Sequence, residues 1–320
     1  MMFQKATWTR PIWHPLLRLG VALGLGVAVT STACGSDGGS ASPDAASEAV
    51  GFAKPTAVMH ANLEVSKHNW MDAGVADWSC LGTPTDVKPT AMAGTLQTVV
   101  SDFQNATPVA NAKVSLFKNI AVGTVETMAT ADAQGKLTIG VPAGVTRFGF
   151  AMQADGSMDT LLLNQRVGDA NATQHTSPAK IQPVSLGTAA ALPALIGITR
   201  TEGLGIVAGA LRDCQHREVS NFVATLSSTS GTTARLPNVP TYYFAPALGT
   251  PARPHLFPAA SANGLFMIIE IPPQAQTYVQ MWGYVSDADL AAGKLTLVSE
   301  LAVPVLSETI VTGSFEPARQ

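Results

Sequence analysis

The sequence predicts an all-β protein, two β-sandwich domains in tandem behind an export signal and a flexible linker. Three observations lead there: apolar residues recur with period two, turn residues break the runs at short intervals, and one stretch of pattern occurs twice. Leu137, Ile139 and Val141 alternate with Lys136, Thr138 and Gly140. Phe148, Phe150 and Met152 alternate with Arg147, Gly149 and Ala151, and Val114 and Leu116 follow the same rule. Every second side chain of a pleated strand faces one side, so this spacing fits strands with one buried face. Asp132-Ala133-Gln134-Gly135, Pro142-Ala143-Gly144 and Asp155-Gly156 supply the turns between them.

The size and composition agree. The chain has 320 residues, 46% of them apolar and 13% charged. That length suits about two ordinary domains, and the charged share is about half the usual one.

The first segment reads as an export signal. Lys5, Arg10 and Arg18 come before an apolar run from Leu19 to Val29, and no acid precedes Cys34. Thr30-Ser31-Thr32-Ala33 then brings small residues to a cleavage point. The run is too short to span a membrane, which takes about 20 apolar residues. Residues 35–49, GSDGGSASPDAASEA, hold no side chain able to build a core and read as a flexible tether spanning roughly 20 Å.

A small-residue cut site, a cysteine and a flexible tether together resemble the bacterial lipoproteins, with Ser31 where their lipobox usually has Leu. The resemblance implies a diacylglyceryl thioether on Cys34, and two or more acyl chains make a stable anchor. Gly35 after the cysteine, rather than Asp, implies sorting to the outer membrane of a Gram-negative bacterium. Without the three basic residues before Cys34, the remaining chain holds 16 basic and 22 acidic residues, a net charge of −6. A mildly acidic surface without basic clusters argues against nucleic acid as a partner. The lipid anchor, not charge, is then what holds the chain at a membrane.

The repeat organises the rest. Asp102-Phe103-Gln104 leads to Val109, Ala112, Val114 and Leu116; Asp213-Cys214-Gln215 leads to Val219, Phe222, Ala224 and Leu226. Further on, Ala131-Asp132-Ala133-Gln134-Gly135 answers to Ala260-Ser261-Ala262-Asn263-Gly264, and each leads through apolar alternation to a proline, Pro142 or Pro272. The second copy carries an insertion around Tyr242 to Pro258. This pattern resembles the carboxypeptidase regulatory-like domain, an Ig-like, transthyretin-like β-sandwich. Asp102, Val109, Ala112, Val114, Thr130, Asp132, Gly135 and Leu137 occupy its signature places in the first copy. In the second, Phe222 stands for the Ala and Ser261 for the Asp.

The resulting division is a signal at 1–33, the lipidated cysteine and linker at 34–56, and a first sandwich with an N-terminal extension at 57–180. A linker at 181–202 and a second sandwich at 203–320 follow. The first linker reads as flexible; the second holds one helical turn, Ala189 to Leu192, stopped near Pro193. In the extension, Leu63 to Trp70 carries the spacing of a short amphipathic helix.

With Cys34 acylated, Cys80 and Cys214 remain. An even pair in an exported chain predicts a disulfide, because the compartment is oxidising. It would close a loop of more than 130 residues.

The search for chemistry yields no catalytic, cofactor-binding or metal-ligating residue. Gly203 to Ala208 spells a dinucleotide fingerprint, but Thr225 stands where the acid should be, so it reads as a glycine-rich strand start. Neither G-x-S-x-G nor H-E-x-x-H occurs, and His60, His68, His175, His216 and His255 are not paired at metal spacing. Asp287 and Asp289 read as turn residues, too few for calcium. Intradiol dioxygenases share the transthyretin-like sandwich and bind iron through two Tyr and two His. Adjacent Tyr242 and Tyr243 should face opposite sides of a strand. Trp70, Trp78 and Trp282 suit a core better than a sugar platform. The expected protein is therefore a non-enzymatic, lipid-anchored envelope protein with a binding, adhesion or structural role and no cofactor. Its expected partners are the membrane and an envelope protein or glycan. The alternative is a metal-dependent enzyme on the same sandwich.

Overall fold

The computed structural model describes residues 54–175, 181–254 and 256–319; the expected signal, Cys34 and His255 lie outside them. The first copy of the repeat holds β3 (Gly94–Val99), β4 (Lys113–Lys118), β5 (Val125–Thr130), β6 (Lys136–Val141), β7 (Arg147–Gln153), β8 (Asp159–Arg166) and β9 (Gln174–His175). A hairpin precedes it, β1 (His60–Ser66) and β2 (Asn69–Val75). Helix α1 (Leu186–Leu195) leads to the second copy: β10 (Gly205–Leu211), β11 (Glu218–Ser220), β12 (Val223–Ser227), β13 (Thr241–Ala245) and β14 (Thr250–Pro251). It continues with β15 (Leu265–Ile271), β16 (Gln274–Gly283), helix α2 (Asp287–Ala291), β17 (Thr296–Val305) and β18 (Thr309–Phe315). The protein is all-β, and its strands form sandwiches.

Both copies repeat one topology. In the first, β3 lies between antiparallel β6 and parallel β9; in the second, β10 lies between antiparallel β15 and parallel β18. The facing sheets are β8-β7-β4-β5 and β17-β16-β12. Gly135 and Gly264, at φ 72° and 63°, make the equivalent hairpin turns. A Cβ on Gly135 would come within 2.6 Å of the Val100 carbonyl, so the hairpin presses directly on the strand below.

The two sandwiches share a sheet. Strand β18 pairs in parallel with β10 on one side and β8 on the other, giving a nine-stranded order β14-β13-β15-β10-β18-β8-β7-β4-β5. Strand alternation then sends neighbouring residues of β8 to different cores: Leu162 joins Val114, Phe148 and Phe150, while Leu161 and Leu163 join Val207, Phe266 and Phe315. The first sandwich thus packs on one face of this sheet and the second on the other. Edge-to-face ring pairs, Phe222 with Phe266 at 6.3 Å and Phe266 with Phe315 at 5.2 Å, run through the second core.

Two expectations change. Leu63 to Trp70 is the β1–β2 hairpin, not a helix: β1 pairs with β11 through His60–Ser220 and Ala61–Val219, and this ladder overrides the local spacing. The stretch 181–202 also does more than connect. Ile181 bridges Val100 within the first sandwich, and α1 runs for ten residues from its cap at Ser185, whose Oγ accepts from Thr188 N at 3.2 Å. Helix α1 seals a third apolar cluster against β10, β15 and β18, including Ile206, Met267 and Ile310.

Candidate functional site

The strand faces beneath α1 change character along their length. On β10 the residues on this face are Ile206, Ala208 and Ala210; on β18, in register beside them, Ile310, Thr312 and Ser314. Both strands taper from large to small in the same direction. Helix α1 covers the large end, and the small end is left as the floor of a groove of about 360 Å³. A smaller recess of about 70 Å³ continues beneath α1, sharing Phe103, Gln182, Ala208, Phe244 and Thr312 with the groove. The combined space lies in the size range of small-molecule sites.

One wall is built by the turn that opens the first copy. Asp102 is buried, and its Oδ1 accepts from Gln104 N (3.0 Å) and Asn105 N (3.1 Å). Phe103 N donates to the Pro183 carbonyl at 3.1 Å. Gln104 Oε1 accepts from Thr188 Oγ1 of α1 at 2.6 Å, tying the turn to the helix. So held, Phe103 keeps 45% of its surface exposed while lining both compartments. Buried Phe244 stands on the other side.

The polar lining is neutral. Gln165 is buried, and its Nε2 donates to the Leu163 carbonyl and to Ser314 Oγ at 3.2 Å. Among the described residues, no hydrogen bond occupies the side chains of Gln182 or Thr312. The charged residues at the mouth, Arg212 and Glu316, are already paired. Arg212 Nε donates to Glu218 at 3.2 Å; Glu316 bridges Arg147 at 2.9 Å and Arg166 at 3.8 Å.

This mouth adjoins a seam between the copies, where Arg147 and Arg166 of the first meet His216 and Glu316 of the second. Burial pushes the Glu316 carboxyl up, but the hydrogen bond and charge of Arg147, with the charge of Arg166, outweigh it and hold it below its ordinary value. Burial, then Arg166, lowers the His216 imidazole, whose Nε2 lies 2.6 Å from Arg166 Nη2.

Cys80 and Cys214 form a disulfide beside this seam, with Cα atoms 5.8 Å apart. Cys214 occupies, in the second copy, the turn place that Phe103 fills in the first. Around it Asp213, fully buried, accepts from Gln215 N, Arg217 N and the Arg217 guanidinium, the last at 2.6 Å. Cys34 is outside the described residues.

The other residues weighed in the sequence do not converge on a site. Tyr242 lies in the cluster under α1 and Tyr243 in the second sandwich core, opposite faces as alternation expects. Tyr243 Oη accepts from Ala224 N, and burial pushes its hydroxyl well above its ordinary value. Trp282 is buried, and Trp78 packs against the second core. Asp287 and Asp289 form the first turn of α2, where Ser286 caps Asp289 N. Among the described residues, no three His, Cys, Asp or Glu side chains cluster as a metal site. The groove leaves little mark in the sequence, because Ala208, Ala210, Thr312 and Ser314 look like ordinary strand positions. The taper on two strands is the signal that marks it.

No family model matches the chain, and no curated protein matches it. Among solved structures, the Bacillus anthracis TIE protein is 10% identical over 70% of this chain and 34% of its own, with a TM-score of 0.22. The chain therefore spans about a third of the length of that protein. The 3-chlorocatechol 1,2-dioxygenase from Rhodococcus opacus 1CP is 10% identical over 39% of this chain and 72% of its own, TM-score 0.24. The shaft pilin SpaA from Lactobacillus rhamnosus GG is 10% identical over 72% and 98%, TM-score 0.20. Likenesses this distant carry no conclusion about activity.

Proposed function

We propose that this is a lipid-anchored protein of the cell envelope, held at the outer membrane through Cys34, whose folded part binds a ligand without transforming it. The observation that carries the binding role is the groove. It offers aromatic surface, amides and hydroxyls, while Arg212 and Glu316 at its mouth pair with Glu218 and Arg147, and among the described residues no nucleophile–base pair lines it. The paired turns and hairpins support kinship with carboxypeptidase regulatory-like domains, whose sandwich would serve as scaffold. The opposite facing of Tyr242 and Tyr243 speaks against that pair as ligands of an intradiol-type iron centre, since two adjacent residues of one strand do not reach one metal.

The test is a screen of glycans and envelope-derived peptides against the wild-type protein and Ala210→Phe, which fills the groove floor. Retention of a ligand by the wild type and its loss in the variant, at unchanged thermal stability, is the expected result. Equal binding by both proteins would overturn the groove as the site. Stoichiometric iron, zinc or copper in the purified protein, with turnover of a substrate, would overturn the non-catalytic reading.

A further inference from the structure

We infer that the groove takes an uncharged, hydroxyl-bearing ligand with an aliphatic arm, of the alkyl-glycoside or acylated-sugar class. This rests on the reading of the groove as a binding site and adds the chemistry of its occupant.

The two compartments differ in kind. The recess beneath α1 is walled by Val184, Leu192, Pro193, Ile206, Met267 and Ile310, and its polar members, Gln182 and Thr312, are the ones it shares with the groove. An aliphatic arm is the group that gains from such a lining, by about fourfold in affinity per methylene removed from water. The open compartment presents Thr312, Ser314 and Gln182, side chains that both donate and accept. Sugar hydroxyls have the same dual character. Phe103 overhangs both compartments, placed to cover the C–H face of a pyranose at the point where head and arm join.

Charge and backbone narrow the class further. A carboxylate or phosphate head would meet the Glu316 carboxylate at the mouth, and the cation of the lining, Arg212, already gives its Nε to Glu218. A peptide that binds by strand addition would need an open strand edge for its backbone. The floor strands β8, β18, β10 and β15 each have partners on both sides. What the floor offers is side chains alone, which suits a ligand that brings its own hydroxyls.

The experiment titrates the full chain, carrying Cys34→Ala to remove the candidate acyl group, with n-propyl-β-D-glucoside, whose short arm matches the recess. Methyl glucoside and propanoate are the head-only and charged-arm comparisons. The expected result is saturable one-to-one binding of the propyl glucoside, at least tenfold tighter than either comparison. Thr312→Val, which keeps the shape and removes the hydroxyl, should weaken propyl glucoside three- to tenfold and leave propanol unchanged. Ala208→Leu should erase most of the gain from the propyl arm. If propanoate binds as tightly as propyl glucoside, or the series fails while another ligand is lost in Ala210→Phe, the ligand class is wrong and the groove stands. If Ala208→Leu and Ala210→Phe bind every probe as the wild type does, the groove itself is not the site.

Discussion

The two copies open on the same turn and use it differently. Asp102-Phe103-Gln104 and Asp213-Cys214-Gln215 fold alike: each Asp accepts from the backbone N–H two residues on, and each middle residue donates its N–H to a carbonyl from a distant segment, Pro183 or Asp77. In the first copy the middle side chain leans over the groove. In the second it is Cys214, bonded to Cys80 in the N-terminal extension. The Asp is therefore scaffold, and the residue after it is the variable that gives each copy its use. The copies also differ at an edge: β5 extends the sheet of β4, whereas β13 pairs with β15 on the opposite sheet. That exchange puts Phe244 of β13 beside the groove.

The largest break in this comparison is the disulfide. Its partners lie 134 residues apart, and loop entropy predicts a loss of about 4 to 5 kcal/mol when both are changed to Ala. Urea unfolding of the double variant against wild type measures it. A loss below about 1 kcal/mol would mean that the turn in the second copy is held by its other contacts.

The scaffold claim itself is sharpened by the two aspartates. Asp213→Ala strands the Arg217 guanidinium and several backbone amides, so a loss of about 3 to 5 kcal/mol is expected. Asp102→Ala removes acceptors from two amides and no ion pair, for about 1 to 3 kcal/mol. Equal losses in parallel denaturation curves would show that Arg217 adds nothing to the second turn.

The smallest effect concerns the seam. Folded Glu316 and His216 both titrate below their unfolded values, near 4.3 and 6.5. Folding thus favours both deprotonated forms, and stability is complete above these values. It should decline as pH falls from about 6.5 and more steeply below about 4.3, through the folded carboxyl's lower value. Glu316→Gln should flatten the second part of that decline. An unchanged acid limb in melts from pH 7 to 3 would show that the copies are not coupled through this carboxylate.

Much of the fold was legible in the sequence because its signals are local. Alternation at Leu137–Val141, the hairpin glycines and the Asp-x-Gln turns each report a conformation within a few residues. The disulfide followed from compartment and parity. The parallel pairing of β18 with β8 and β10 joins segments about 100 to 150 residues apart and leaves no local mark. The β1–β2 hairpin carries a helical spacing at Leu63 and Trp70, while its deciding partner, β11, lies far along the chain. The groove was hidden for a different reason. It is made by side chains that are absent, small residues where the same strands elsewhere carry Ile.

The place of β18 in the chain has a kinetic consequence. Among the described residues it is the last of eighteen strands in order, and the edges of both β8 and β10 wait for it. During synthesis from the N-terminus, the sandwiches can begin to form, but their common sheet closes only when Thr309–Phe315 arrives. Until then two open edges are exposed to pairing with other chains. A polypeptide built this way closes its common sheet only after Thr309–Phe315 is made, so truncations short of Thr309 are the variants most prone to aggregate.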